Sequence, residues 1–139
     1  MKTKTIQQLV ELECTPEEFY EIIMDSKKHS QYTGSEAHIT PRVGGKFTAW
    51  EGYIEGENLE LIEAERIVQS WRGSDFPEGH YSTVIFEIKK IPTGCEVLLT
   101  QKQVPAKLAR DINEGWKKFY WIPIKAELAK RTDADAGND

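Results

Sequence analysis

The last third of this 139-residue chain carries an apolar spacing that only a helix laid on a sheet can satisfy. From Lys107 to Lys130, the residues Leu108, Ile112, Gly115, Trp116, Phe119, Ile122, Pro123 and Ala126 fall on one side at a 3.6-residue period. Everything between Ser35 and Gln103 reads instead as short strands separated by turns. A helix with that much aromatic surface cannot remain in water, and the one large surface available to receive it is the preceding sheet. Strands follow one another without intervening helices, which predicts an antiparallel meander. The expected fold is therefore α+β. A curved antiparallel sheet of six to seven strands wraps around a long C-terminal helix, and two short helices after the first strand cap one end.

Local signals support that order. Thr5 to Glu13 alternates as a strand, with Ile6, Gln8, Val10 and Leu12 on one side. Thr15-Pro16-Glu17-Glu18 then supplies an N-cap, a proline at the first helical position and the carboxylate of a capping box. Phe19, Ile22 and Ile23 form the inner side of this helix, and a second short helix is expected over Ser26 to Tyr32. Further strands are expected at Glu36–Thr40, Lys46–Glu51, Tyr53–Glu63, Arg66–Arg72, Tyr81–Lys89 and Cys95–Gln103, with a loop from Gly73 to His80. Residues 1–131 form one domain on this reading, and the polar, acidic stretch 132–139 is expected to be a disordered tail. Pro123 should kink the long helix, because it removes one backbone donor. Tyr120, Trp121, Ile124 and Leu128 form a second patch away from the main stripe, expected to pack if the sheet wraps far enough and to be sticky if it does not.

A net charge of -5 and a pI near 5.3 argue against a nucleic-acid backbone as main partner. No run reaches the ~18–20 apolar residues of a membrane span, and the N-terminus shows no apolar signal segment, so a cytoplasmic protein without membrane contact is expected. Cys14 and Cys95 are distant in sequence and form no C-x-x-C, which reads as two buried thiols. His29, His38 and His80 are scattered, with no cluster at zinc spacing and no phosphate-cradling glycine loop. No catalytic residue, metal site or cofactor is assigned. His80, Glu51 and Tyr81 are the weak candidates that an enzyme reading would have to use.

The aromatic set is the informative one. Trp50, Trp71, Tyr81, Phe86, Trp116 and Phe119, with Ile112, are either ordinary core or the lining of a partly open cavity between sheet and helix. Gly115 fits both views, at about 1 kcal/mol of lost helix propensity.

Several motifs in order carry a resemblance. Val43-Gly44-Gly45-Lys46-Phe47 with Trp50 and Gly52 comes first, followed by Arg66-Ile67-Val68-Gln69-Ser70-Trp71-Arg72. Phe76-Pro77-Glu78-Gly79-His80-Tyr81 and then Gly115-Trp116 with Tyr120 complete the set. Together they resemble the family of activators of the ninety-kilodalton heat-shock chaperone's ATPase, and within it the co-chaperone's C-terminal domain, over Lys4 to Leu128. The resemblance implies a helix-grip fold of the START-like, Bet v 1-like superfamily. It further implies a non-enzymatic binding protein whose partner is a heat-shock-90-type chaperone, contacted through Phe76, Glu78, His80 and Trp121. It does not carry over the family's additional N-terminal domain. The alternative function is a carrier or sensor of a small apolar ligand; a cyclase or hydrolase of the superfamily is the third.

Overall fold

A computed structural model describes residues 1–137, with side chains placed through Arg131. The tail expected over 132–139 therefore lies outside the described side chains, and its last two residues lie outside the described backbone. The elements are β1 (Thr3–Leu12), α1 (Pro16–Met24), α2 (Ser26–Thr33), β2 (His38–Ile39), β3 (Lys46–Ala49), β4 (Ile54–Ile62), β5 (Arg66–Gly73), β6 (Ser82–Ile91) and β7 (Gly94–Pro105). A long C-terminal helix follows as α3 (Ala109–Trp116), a π-helical turn (Lys117–Trp121) and α4 (Ile122–Gly137). The seven strands run in the order β1-β7-β6-β5-β4-β3-β2, all antiparallel. This is the helix-grip arrangement expected from the sequence. No helix among the described residues is long and apolar enough to cross a membrane.

The start of α1 is set locally. The Thr15 side chain accepts from the Glu18 backbone N–H at 3.1 Å, and the Glu18 carboxylate accepts from the Thr15 N–H at 3.3 Å. Arg131 of α4 pairs with that same Glu18, so the cap also ties the helix end to α1. Asp25 closes α1 and caps α2 through the Lys28 N–H at 2.9 Å. Asn58, fully buried in β4, pins the β2–β3 turn: its Nδ2 donates to the carbonyls of Thr40 (2.8 Å) and Arg42 (3.1 Å), and its Oδ1 accepts from Gln69 at 3.0 Å. Cys14 and Cys95 are both buried free thiols, yet the fold brings their sulfurs to 3.9 Å at the β1–β7 end. The S–H contact that they share, together with burial, pushes the Cys14 thiol up.

Gly56 in β4 reflects a close approach. A Cβ there would lie 1.9 Å from the Ser70 carbonyl oxygen and 2.8 Å from the Phe47 ring. The third strand is shorter than its sequence suggests. It ends at Ala49 because Trp50, Glu51 and Gly52 all take positive φ (54°, 56° and 85°), a turn that no strand can continue through.

The long helix departs from a simple stripe. Ile122 is 64% exposed and Phe119 42%, and Ala126 also faces solvent, whereas Tyr120, Trp121, Ile124 and Leu128 are buried. A spacing of four overshoots an α-helical turn by about 40°, so Ile112, Trp116, Tyr120, Ile124 and Leu128 would drift by roughly 160° along an ideal helix. The π turn absorbs about one residue and returns most of that drift. The Ile122 N–H bonds back to the Lys117 carbonyl, five residues earlier. The turn sits immediately before Pro123, whose ring cannot tolerate the ordinary i−4 carbonyl. The patch that looked separate in sequence is thus rotated inward, and α1 and α2 cover it.

Candidate functional site

Beneath α3 the sheet and helix do not close completely. A cavity of about 350 Å³ lies between them, within the range of small-molecule sites. Its walls are aromatic: Trp50 and Tyr53 from the β3–β4 turn, Trp71 from β5, and Trp116, Phe119 and Tyr120 from the helix. Ile54, Leu108 and Ile112 add aliphatic surface, and Gly115 faces the space without a side chain.

The floor is fixed by a chain of hydrogen bonds. Trp116 Nε1 donates to Gln101 Oε1 at 2.7 Å, Gln101 Nε2 donates to Ser82 Oγ at 2.9 Å, and Ser82 donates to the Trp71 carbonyl at 2.7 Å. The chain locks the Trp116 indole and ties it to the backbone of Trp71. Trp71 and Trp116 pack with ring centroids 6.0 Å apart, and Phe86 meets Trp116 edge-on at 5.7 Å. The Trp50 indole N–H is buried near the Tyr120 hydroxyl but finds no partner of full hydrogen-bond geometry.

The mouth is polar and acidic. Tyr53 donates its hydroxyl to the Asp75 carboxylate at 2.7 Å, and Asp111 of α3 completes the rim. Burial, the Asp75 hydrogen bond and the Asp75 and Asp111 charges push the Tyr53 phenol up. Asp75 is placed by the 73–80 loop, which is well organised. Arg72 Nη1 donates to the carbonyls of Phe76 (3.0 Å) and Pro77 (2.7 Å), and the Ser74 N–H donates to the Tyr53 carbonyl at 2.8 Å.

Behind the cavity a different environment begins. His29 of α2 is buried. Its Nδ1 must carry the proton, because it faces the Ile23 carbonyl at 3.1 Å, and its Nε2 accepts from the Tyr120 hydroxyl at 3.1 Å. Burial lowers its pKa, so it sits there as a neutral ring. Trp121 donates to Gln8 Oε1 at 2.7 Å, and its ring centroid lies 6.2 Å from that of Phe19.

Of the cavity candidates, the structure gathers Trp50, Trp71, Ile112, Trp116 and Phe119 around one space. Two lie elsewhere. Tyr81 points to the outer face, 42% exposed, and donates to Glu55 at 3.0 Å; Phe86 is fully enclosed core under Trp116. Two contact candidates are corrected. Phe76 is 4% exposed, tucked against Trp71 at 5.7 Å, and Trp121 is 5% exposed for the reasons given above, so neither side chain can meet a partner. Glu78 is exposed, and half-buried His80 contacts the Gln103 carbonyl at 2.7 Å. No hydrogen bond joins His80, Glu51 and Tyr81 among the described residues. Nor is there a group of three or more His, Cys, Asp or Glu among them able to hold a metal ion. Tyr53, Asp75 and Asp111 were missed in the sequence, because an aspartate on a loop and another on a helix form no motif.

Comparison with known proteins places the chain. The family described as "Activator of Hsp90 ATPase homolog 1-like protein" matches residues 13–129. The mouse activator of 90 kDa heat shock protein ATPase homolog 2 is 32% identical over 116 residues, 84% of this chain and 35% of that protein. The Dictyostelium discoideum activator homolog is 30% identical over 125 residues, 88% of this chain and 32% of that protein. The chain thus spans about a third of the length of the curated relatives that it matches. The crystal structure of an HSP90 activator from Plasmodium falciparum superposes with a TM-score of 0.84 at 26% identity, covering 90% of this chain and 96% of that one. With its family's model matching most of the chain and relatives at 30% identity or more over four fifths of it, the chain belongs to the activator of Hsp90 ATPase homolog 1-like family.

Proposed function

We propose that this chain is a non-enzymatic binding domain that docks on a chaperone of the 90 kDa heat-shock class and alters its ATP turnover. The support is the family membership, in which relatives carry that activity in their names. The observation that carries the reading is an exposed apolar rim. Tyr53, Phe119 and Ile122 stand 38%, 42% and 64% exposed, with Tyr53 bonded to the 73–80 loop and the Phe119 ring tilted against Trp50 at a centroid distance of 5.0 Å. Single exposed apolar residues need no explanation, but Tyr53 and Phe119 share one cavity rim beside a hydrogen-bonded polar loop, with Ile122 three residues further along the helix, and this fits a contact surface. Calorimetric titration of the host chaperone, with ATP turnover followed in parallel, tests this. Ile122→Asp should weaken binding by about tenfold or more. A flat titration with unchanged turnover would sink the reading.

The cavity favours a second reading, a carrier or sensor of a small hydrophobic ligand. A closed core would have opposed it; an aromatic-walled space of about 350 Å³ supports it. Native mass spectrometry of the purified protein should retain a bound small molecule, and bare protein after gentle isolation from its host counts against this reading.

A further inference from the structure

Resting on the second reading, we infer that the cavity under α3 is built for an organic cation: an amphiphile whose apolar body fills the aromatic box and whose ammonium-type head lies at the mouth between Asp75 and Asp111.

Three observations converge. The first is the wall. Trp50, Tyr53, Trp71, Trp116, Phe119 and Tyr120 surround one space, and aromatic faces attract cations through their quadrupoles, most strongly when water is excluded. The second is charge. The ionisable side chains lining the cavity are Asp75, Asp111 and the phenols of Tyr53 and Tyr120, with no Lys, Arg or His among them. Neither aspartate makes an ion pair among the described residues; Asp75 only accepts the Tyr53 hydroxyl. Two uncompensated carboxylates beside apolar walls repel an anion, leave a neutral molecule indifferent and attract a cation.

The third is that the space is kept open. Gly115 lies within a helix, where alanine would be more favourable. A Cβ there would meet nothing closer than the Phe119 ring at 3.5 Å, so packing does not demand glycine. Trp50, also on the lining, is placed by a turn in which it and Glu51 hold positive φ, a costly conformation for such residues. At Gly115, helix stability is given up beside an unfilled volume.

The test uses one skeleton with three heads: 4-phenylbutylammonium, 4-phenylbutanol and 4-phenylbutyrate. Each is titrated into the protein at low salt by calorimetry and tryptophan fluorescence. The ammonium should bind about tenfold or more tighter than the alcohol, and the carboxylate weakest. D75N/D111N should bring ammonium and alcohol within about twofold while the alcohol keeps its affinity. Asp111 shows no side-chain hydrogen bond among the described residues, so D111N alone gives a milder variant that should lose part of the preference and remain folded. Gly115→Leu should abolish binding of all three. Equal affinity for ammonium and alcohol, or a preference that survives D75N/D111N, overturns the cationic assignment while the cavity reading stands. Absence of binding by every probe up to about 10 mM overturns both.

Discussion

The two halves of the C-terminal helix meet the same sheet and do opposite things. The half from Tyr120 onward, with Trp121, Ile124 and Leu128, is packed against α1 and α2, its polar atoms bonded to His29 and Gln8, with Tyr120 at the border also facing the cavity. The α3 half, with Ile112, Gly115 and Trp116, stands over a gap. The difference comes from the covering layer. Two short helices plug one end of the grip; at the other, β1 holds α3 through Gln8 Nε2, which donates to the Asn113 carbonyl and Oδ1 at 2.8 Å, and the cover is left to the β3–β4 turn and the 73–80 loop. Stability should therefore concentrate at the plugged end and adaptability at the open one.

Removal of a ring is the strongest test of that contrast. Trp121→Ala should cost about 3–5 kcal/mol in urea unfolding, and Phe119→Ala, at the open end, less than about 1 kcal/mol. Comparable losses would break the contrast. Next in size is a pair of glycines. Gly56→Ala forces a methyl against the Ser70 carbonyl and the Phe47 ring and should cost about 2–3 kcal/mol by thermal unfolding. Gly115→Ala, with room to spare, should instead raise stability by up to about 1 kcal/mol.

The smallest effect is one of pH. His29 has a lowered pKa in the folded state because burial disfavours its charged form. The unfolded chain then takes up a proton on His29 that the native one resists, so this contribution is complete above about pH 6.5 and declines as the pH falls below it. His29→Gln should flatten the stability profile across that window in denaturant melts. The open end contains no such buried histidine among the described residues, so ligand affinity there should change little across the same window.

Much of the fold was legible because its signals are local. Thr15 and Glu18 announce a helix start through bonds made within four residues, and alternating apolar residues in β6 and β7 state which face is buried. The helix phase was not legible in the same way. A 3.6-residue template selects Phe119, Ile122 and Ala126, and only the repeated spacing of four through Ile112, Trp116, Tyr120, Ile124 and Leu128, with Pro123 among them, hints at a π turn. Trp121 was misplaced for that reason. Phe76 was misplaced because a loop position says nothing of which way the ring turns. Buried polar residues such as Asn58 and Gln69 look like ordinary surface amides until the turn that they bind is seen. The cavity's aromatics were readable as a set; its acidic mouth, assembled from a loop and a helix 36 positions apart (Asp75 and Asp111), was not.

The wide turn at Lys117–Trp121 works as a phase slip in a screw. Upstream, the thread is timed to one groove; downstream, to another. Losing a single residue there would remove the wide turn and twist the rod by about 100° against its own other end, so that either the half over the box or the half against the two short helices would face the wrong way. In this architecture a small irregularity lets one continuous rod serve two separate seats.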